Sequence, residues 1–240
     1  MSHAYYQFET GRVAAIESDC PFPPLAQALT EPNGLIAIGG DLSAARLLSA
    51  YKQGIFPWFN AGDPIMWYSP NPRMVLYPSE LKISSSLKKT INRNAFETRI
   101  NTSFAAVITA CSKIPRNNQL GTWITDEMIA AYCDLHALGY AICAEAWQDG
   151  QLVGGCYGIK IGRMFYGESM FHTVTDASKV AFIHLVNYLQ NQQIGLIDCQ
   201  MKTPLLASFG GSEIPREAFI KQLQALCSSN DFMTKAGRDK

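Results

Sequence analysis

Two apolar runs, YAICAEAW (residues 140–147) and LVGGCYGIK (152–160), are separated by only four residues, QDGQ. No other feature restricts the fold of this chain as tightly. Asp149-Gly150 supplies the positive-φ pair that a tight hairpin turn requires, so the two runs are expected to lie side by side as antiparallel strands. A second turn, KIGR, leads into a third strand, MFYGES. From about Ala177 to Gln190 the pattern becomes helical. Val180, Phe182, Ile183, Leu185, Val186 and Leu189 cover most of that helix's circumference, which predicts burial on nearly all sides. IGLIDCQ (194–200) reads as the next strand, and PREAFIKQLQAL (215–226) as a closing helix with Pro215 at its first turn. Antiparallel strands, a buried helix, a strand and a helix together predict an α+β sheet domain.

Upstream, GGDLSAARLLSAYKQG holds a helix. Asp41 or Ser43 can cap it, Leu47, Leu48 and Tyr51 form its apolar stripe, and Gly54 ends it. The aromatic stretch that follows contains Pro57, Pro64, Pro70 and Pro72, which forbid long regular elements. A domain boundary is placed near Pro70, dividing the chain into 1–70 and 71–240. Beyond it, RMVLYP and FETRIN read as strands and SSSLKKTINR as a basic helix. SFAAVITACSK is helical. TDEMIAAYCDLHALG is the best-signalled helix, with Thr125 as cap, Asp126 and Glu127 in the first turn and Gly139 at the end.

Zero net charge and 48% hydrophobic residues over 240 positions fit an ordinary globular chain. No window approaches the roughly 18 unbroken apolar residues of a membrane span. The opening MSHAYYQFETGR lacks a basic-then-apolar signal layout, so a cytoplasmic protein is expected. The seven cysteines are odd in number and form no CxxC, which favours reduced thiols. The four histidines make no HxxH or HxxxH pair, so no metal site is expected.

Three groups of residues could carry chemistry. Asp198 and Gln200 stand two apart at the end of an apolar strand, where alternation points both into one space; they could act on a ligand or bind nearby backbone. Glu168 sits among Phe165, Tyr166, Met170 and Phe171. A lone carboxylate there is costly unless paired. It suits a ligand with an ammonium and an apolar side chain, or it is satisfied internally. Trp58, Trp67, Tyr68 and Trp123 could stack unpaired nucleotides or pack a core. The acid-free stretch 82–93, with Lys82, Lys88, Lys89 and Arg93, could follow a phosphate backbone or form a solvated face.

Taken together the segments are more specific. GLIAIGGDLS, YKQGIFPWF, WYSPNPR, GTWIT, LVGGCYGI, FYGESMF, ASK and LIDCQ…LASFGGSEIPREAF occur in this order over residues 34–219. The chain closely resembles the leucyl/phenylalanyl-tRNA–protein transferase family. The resemblance implies a small N-terminal α/β domain followed by a catalytic domain of GNAT-like (acyl-CoA N-acyltransferase-like) fold. It implies transfer of Leu or Phe, and Met less well, from aminoacyl-tRNA to the N-terminal Arg or Lys of proteins destined for degradation, with no metal or other cofactor. A cytoplasmic monomer is expected. Under the resemblance Asp198 and Gln200 belong to the reacting centre, and Glu168 holds the donor's amino group. Cys156, Phe165, Met170, Phe182, Leu185, Leu189 and Ile197 wall its side-chain pocket. Trp58 and Trp123 receive the terminal adenosine, and Lys82, Lys88, Lys89 and Arg93 meet the tRNA backbone.

Three positions depart from the family pattern: Ile142 and Leu205 stand where histidines are common, and Ser85 where an arginine is usual. Two other readings fit less well. A CoA-dependent acyltransferase needs an [RQ]xxGx[GA] loop leading into a helix; QLVGGC (151–156) fails at its last position and lies within a strand. A non-catalytic RNA-binding module leaves Glu168, Asp198 and Gln200 unexplained.

Overall fold

The structure, a computed structural model, describes residues 4–114 and 123–227. Gly121 and Thr122 of the GTWIT segment lie outside the described residues; Trp123 lies within them. Two sheets form. The smaller comprises β1 (Tyr5–Phe8), β2 (Gly11–Ile16), β3 (Leu35–Gly39), β4 (Phe56–Pro57) and β5 (Met66–Tyr68), in the order β1-β2-β3-β5-β4. Between β3 and β4 runs α1 (Ala44–Tyr51), capped by Ser43, whose side chain accepts from the Arg46 N–H. The prolines keep β4 and β5 to two and three residues.

The larger sheet has seven strands in the order β12-β6-β11-β10-β9-β8-β7. These are β6 (Arg73–Leu76), β7 (Glu97–Ile100), β8 (Ala141–Gln148), β9 (Gln151–Ile161), β10 (Met164–His172), β11 (Leu196–Gln200) and β12 (Ser212–Ile214). The change of sheet falls between Tyr68 and Arg73. The helices are α2 (Ser85–Asn92), α3 (Phe104–Ser112), α4 (Asp126–Ala137), α5 (Ala177–Asn191), α6 (Pro204–Ser208) and α7 (Arg216–Cys227). Pro215 precedes α7, and its carbonyl accepts from the Phe219 N–H.

The expected hairpin is present: Gln148 pairs with Gln151, and Asp149 and Gly150 adopt φ of 51° and 73°. β9 and β10 continue the antiparallel run. β10 and β11 pair in parallel, joined over one face of the sheet by α5. Parallel neighbours need such a long crossover, and the apolar coat of α5 supplies it: Val180, Phe182, Ile183, Leu185, Val186 and Leu189 are all buried.

Strand alternation divides the interior into two cores. On one side Cys143, Tyr157, Ile159 and Tyr166 meet α3, α4, α1 and the smaller sheet. On the other, Ile142, Ala144, Cys156 and Phe165 meet α5. Gly158 lets these layers close. A Cβ at that position would stand 2.1 Å from the Tyr166 carbonyl oxygen and 2.5 Å from the Phe165 ring, so only glycine allows Phe165 its place.

Candidate active site

β10 and β11 stay together only from Met164↔Leu196 to Tyr166↔Asp198. Each then carries an irregularity. On β10 the register against β9 shifts between Gly167 and Ser169, leaving Glu168 as the extra residue. On β11 the register against β6 shifts between Asp198 and Gln200, and Gln200 takes a φ of 62°. Bulges bend strands and re-aim side chains. Here they stand where the two strands part, and a cavity of about 540 Å³ occupies the opening.

The cavity is lined from both cores. Cys156, Phe165, Met170, Phe182, Leu185 and Ile197, all expected as pocket walls, line it from the α5 side, joined by Leu205 and Leu206 of α6. Trp58 and Trp123 line it from the other side, with Phe56, Pro57, Ile114 and Tyr157. Glu168, Ser169, Gln200 and Thr203 supply polar groups between these walls.

Leu189 does not reach the cavity. It is fully buried in the core one turn beyond Leu185 on α5, where its carbonyl accepts from the Ile194 N–H. Of the departures from the family pattern, Leu205 lines the cavity, Ile142 is buried in the core outside it, and Ser85 is exposed in the first turn of α2.

Glu168 is the only Asp, Glu, Lys, Arg or His side chain lining the cavity among the described residues. Its Oε1 accepts from the Tyr51 hydroxyl at 2.7 Å and from Gln200 Nε2 at 3.3 Å, and its Oε2 from the Tyr132 hydroxyl at 3.2 Å. The two tyrosine hydroxyls also touch each other. Burial raises the Glu168 carboxyl from 4.5 to about 7, against the opposing pull of the two tyrosines. Burial pushes both phenols well above 10, so they remain donors. The carboxyl is therefore about half ionised at neutral pH, and among the described residues no ion pair is formed by it. It is prepared for a cation that a ligand brings.

The expectation that Asp198 and Gln200 point into one space is corrected. Gln200 lines the cavity, while Asp198 is fully buried away from it and paired with Arg73. The bulge breaks the period of two on which that expectation rested. Arg73, Tyr51 and Tyr132 were missed in the sequence because each reads locally as an ordinary strand or helix residue. Burial also raises the Cys156 and Cys199 thiols, so neither offers a thiolate nucleophile.

Lys88 and Lys89 on α2, Arg93 at its C-cap and Lys82 just ahead of it are exposed, and Leu87 is the helix's buried residue. The Lys82 N–H donates to the carbonyl of Phe209, immediately past α6. The segment leading into the basic helix is thus tied to the residue that follows α6, the helix that carries the cavity-lining Leu205 and Leu206. Among the described residues no helix is long and apolar enough to cross a membrane.

Comparison with known proteins gives consistent results. The family described as leucyl/phenylalanyl-tRNA protein transferase matches residues 75–224, and its N-terminal domain matches residues 40–71. A protein of that name from Nitrosomonas europaea is 58% identical over 214 residues, covering 89% of this chain and 90% of its own length. Another, from Chromobacterium violaceum, is 56% identical over 203 residues, covering 85% and 87%. Among solved structures, L-PGS from Bacillus licheniformis aligns over 80% of this chain and 63% of its own, with a TM-score of 0.41 and 12% identity. A GCN5-related N-acetyltransferase-like protein from Streptococcus suis aligns over 68% and 61%, with a TM-score of 0.36 and 12% identity. Likenesses this distant say nothing about the site, whereas the family matches cover every residue that lines the cavity: the chain belongs to the leucyl/phenylalanyl-tRNA–protein transferase family of aminoacyltransferases.

Proposed function

We propose that the protein transfers Leu or Phe, and Met less well, from aminoacyl-tRNA to the N-terminal Arg or Lys of acceptor proteins, marking them for degradation. It does so as a cytoplasmic monomer with a small N-terminal domain (1–70) and a catalytic domain (71–240). One observation carries this reading: among the described residues a single carboxylate, Glu168, lines a largely apolar cavity and forms no ion pair there. An aminoacyl group with an oily side chain and a free ammonium complements both features.

In this reading the side chain lies against Cys156, Phe165, Met170, Phe182, Leu185 and Ile197, and its ammonium meets Glu168. Trp58 and Trp123 stack the terminal adenosine. The exposed cations of α2 follow the phosphate backbone. The donor ester is already activated, so the work of the site is positioning. The acceptor amine attacks the ester carbonyl. A C–N bond forms, the C–O bond to the tRNA breaks, and one amine proton ends on the departing 3′-oxygen. The Gln200 amide orients the reactants. A deep apolar slot rejects β-branched Val and Ile by clash. Ala loses about 1–3 kcal/mol for each missing methylene.

Purified protein offered tRNAs charged with Leu, Phe, Met, Val or Ala, and peptides beginning with Arg, Lys or Ala, tests this directly. Transfer of Leu and Phe to the Arg and Lys peptides alone is expected. Equal use of Val, or of the Ala peptide, would overturn the stated specificity.

Replacing Lys88 and Lys89 together by Glu should weaken tRNA binding and flatten its dependence on salt, because two fewer phosphates are neutralised. A filter-binding titration at several salt concentrations measures both. An unchanged affinity and slope would place the RNA elsewhere.

A further inference from the structure

Asp198 has no face left for a substrate. Its Oδ1 accepts from Arg73 Nε at 2.8 Å and from the Gln200 backbone N–H at 2.9 Å, and its Oδ2 from Arg73 Nη2 at 2.6 Å. Both side chains of the pair are fully buried. Arg73 is fixed in turn. Its Nη1 donates to the Gly54 carbonyl at 3.1 Å, and its guanidinium lies 4.8 Å and 4.7 Å from the ring centroids of Phe56 and Phe219. A guanidinium fork binding both oxygens sets the plane of a carboxylate as well as its charge. That plane decides where Gln200 can place its N–H. Gln200 is held in the left-handed region at a φ of 62°, a conformation uncommon for a residue with a side chain.

We infer that Arg73 is a positioning residue for aminoacyl transfer: by clamping Asp198 it holds the Gln200 backbone in its left-handed conformation and aims the Gln200 amide at the reacting groups. Asp198 then serves by geometry and accepts no proton. The inference rests on the reading of the cavity given under Proposed function. It adds a chain of command that begins outside the cavity, since neither Arg73 nor Asp198 lines it.

Two variants test it, assayed with Phe-tRNA and an Arg-initiated peptide. Arg73→Lys keeps the charge but cannot make two parallel bonds. Its kcat should fall by about 10- to 100-fold, the penalty of a small misplacement, while the KM for Phe-tRNA stays within twofold because the pocket walls are untouched. A folded Arg73→Lys protein with kcat within twofold of wild type would overturn the inference. The double variant Arg73→Gln/Asp198→Asn removes both charges and keeps an oxygen for the Gln200 N–H. It should fold, since neutralising both members leaves no unpaired buried charge, and its kcat should fall by about 10- to 100-fold like that of Arg73→Lys, because the fork is gone, while staying above that of Asp198→Ala; a kcat within twofold of wild type would overturn the inference. It also decides the matter if Arg73→Lys does not fold. Activity as low as that of Asp198→Ala in this double variant would show that the carboxylate charge itself is required and would sink the inference. Wild-type protein that fails to use Phe-tRNA at all would remove the reading of the cavity, and this inference with it. Normal wild-type transfer beside an unaffected Arg73→Lys would remove the inference alone.

Discussion

Replacing Glu168 by Gln should lower kcat/KM for the aminoacyl-tRNA donor by about 100-fold, the scale of a lost charge-assisted hydrogen bond inside a largely apolar cavity. The side chain keeps its shape; its amide oxygen can accept from the Tyr51 hydroxyl while its NH2 donates to the Tyr132 oxygen, so the fold is expected to survive. The pH profile should change as well. Glu168 must be ionised to hold an ammonium, and its carboxyl titrates at about 7 in the empty site. Donor use by the wild type should therefore climb as pH rises through 7, and the variant should lose that limb.

Stability should respond in the opposite sense. The folded carboxyl titrates at about 7 against an ordinary value of 4.5, so the native state binds this proton more tightly than the unfolded chain. Its contribution is present below 4.5 and is lost as pH rises toward 7. Above 7 the ionised group costs up to roughly 3 kcal/mol, and Gln removes that cost. The variant should thus melt with the wild type near pH 4.5 and several degrees above it at pH 8. Thermal melts at the two pH values check this. Coincident melts at pH 8 would show that Glu168 is not strained by its surroundings.

Replacing Asp198 by Ala should do two kinds of damage at once. Transfer should be lost, because the Gln200 N–H loses its acceptor and the amide its aim. The protein should also lose about 3–5 kcal/mol of stability, since Arg73 is left buried with an uncompensated charge. Arg73 and Asp198 are both 0% exposed, so no solvent is at hand to relieve the guanidinium. Urea titration measures the second effect independently of activity. Wild-type stability in the Ala variant would mean that Arg73 finds another partner, and would weaken the account of the pair given above.

From β6 to β11 the order of strands and helices was legible because the forces that set it are local. Asp149-Gly150 makes its turn, the apolar coat of α5 demands burial, and Thr125 and Ser43 cap their helices, whatever the rest of the chain does. Most of the cavity wall was legible too, since Phe165, Met170, Phe182, Leu185 and Ile197 stand at positions of regular elements whose facing follows from their period. Leu189 obeyed the same helical period but lay one turn too far along. A period says which face a residue occupies and not how far an opening extends.

The polar centre could not be read in this way. Glu168 and Gln200 owe their aim to two bulges, which suspend the alternation on which strand reading depends. Their partners come from afar: Tyr51 is 117 residues from Glu168, Tyr132 is 36, and Arg73 is 125 from Asp198. By itself the sequence determined α1, the elements from β6 to β11 and α7 in their order, the family and the residues that carry charge or aromatic surface, but not the strands of the smaller sheet, α6 or β12. Only the tertiary structure decided that Asp198 is locked to an arginine while Glu168, among the described residues, forms no ion pair. Pairing a charge depends on which side chains meet across the folded chain, and on how much water is left between them.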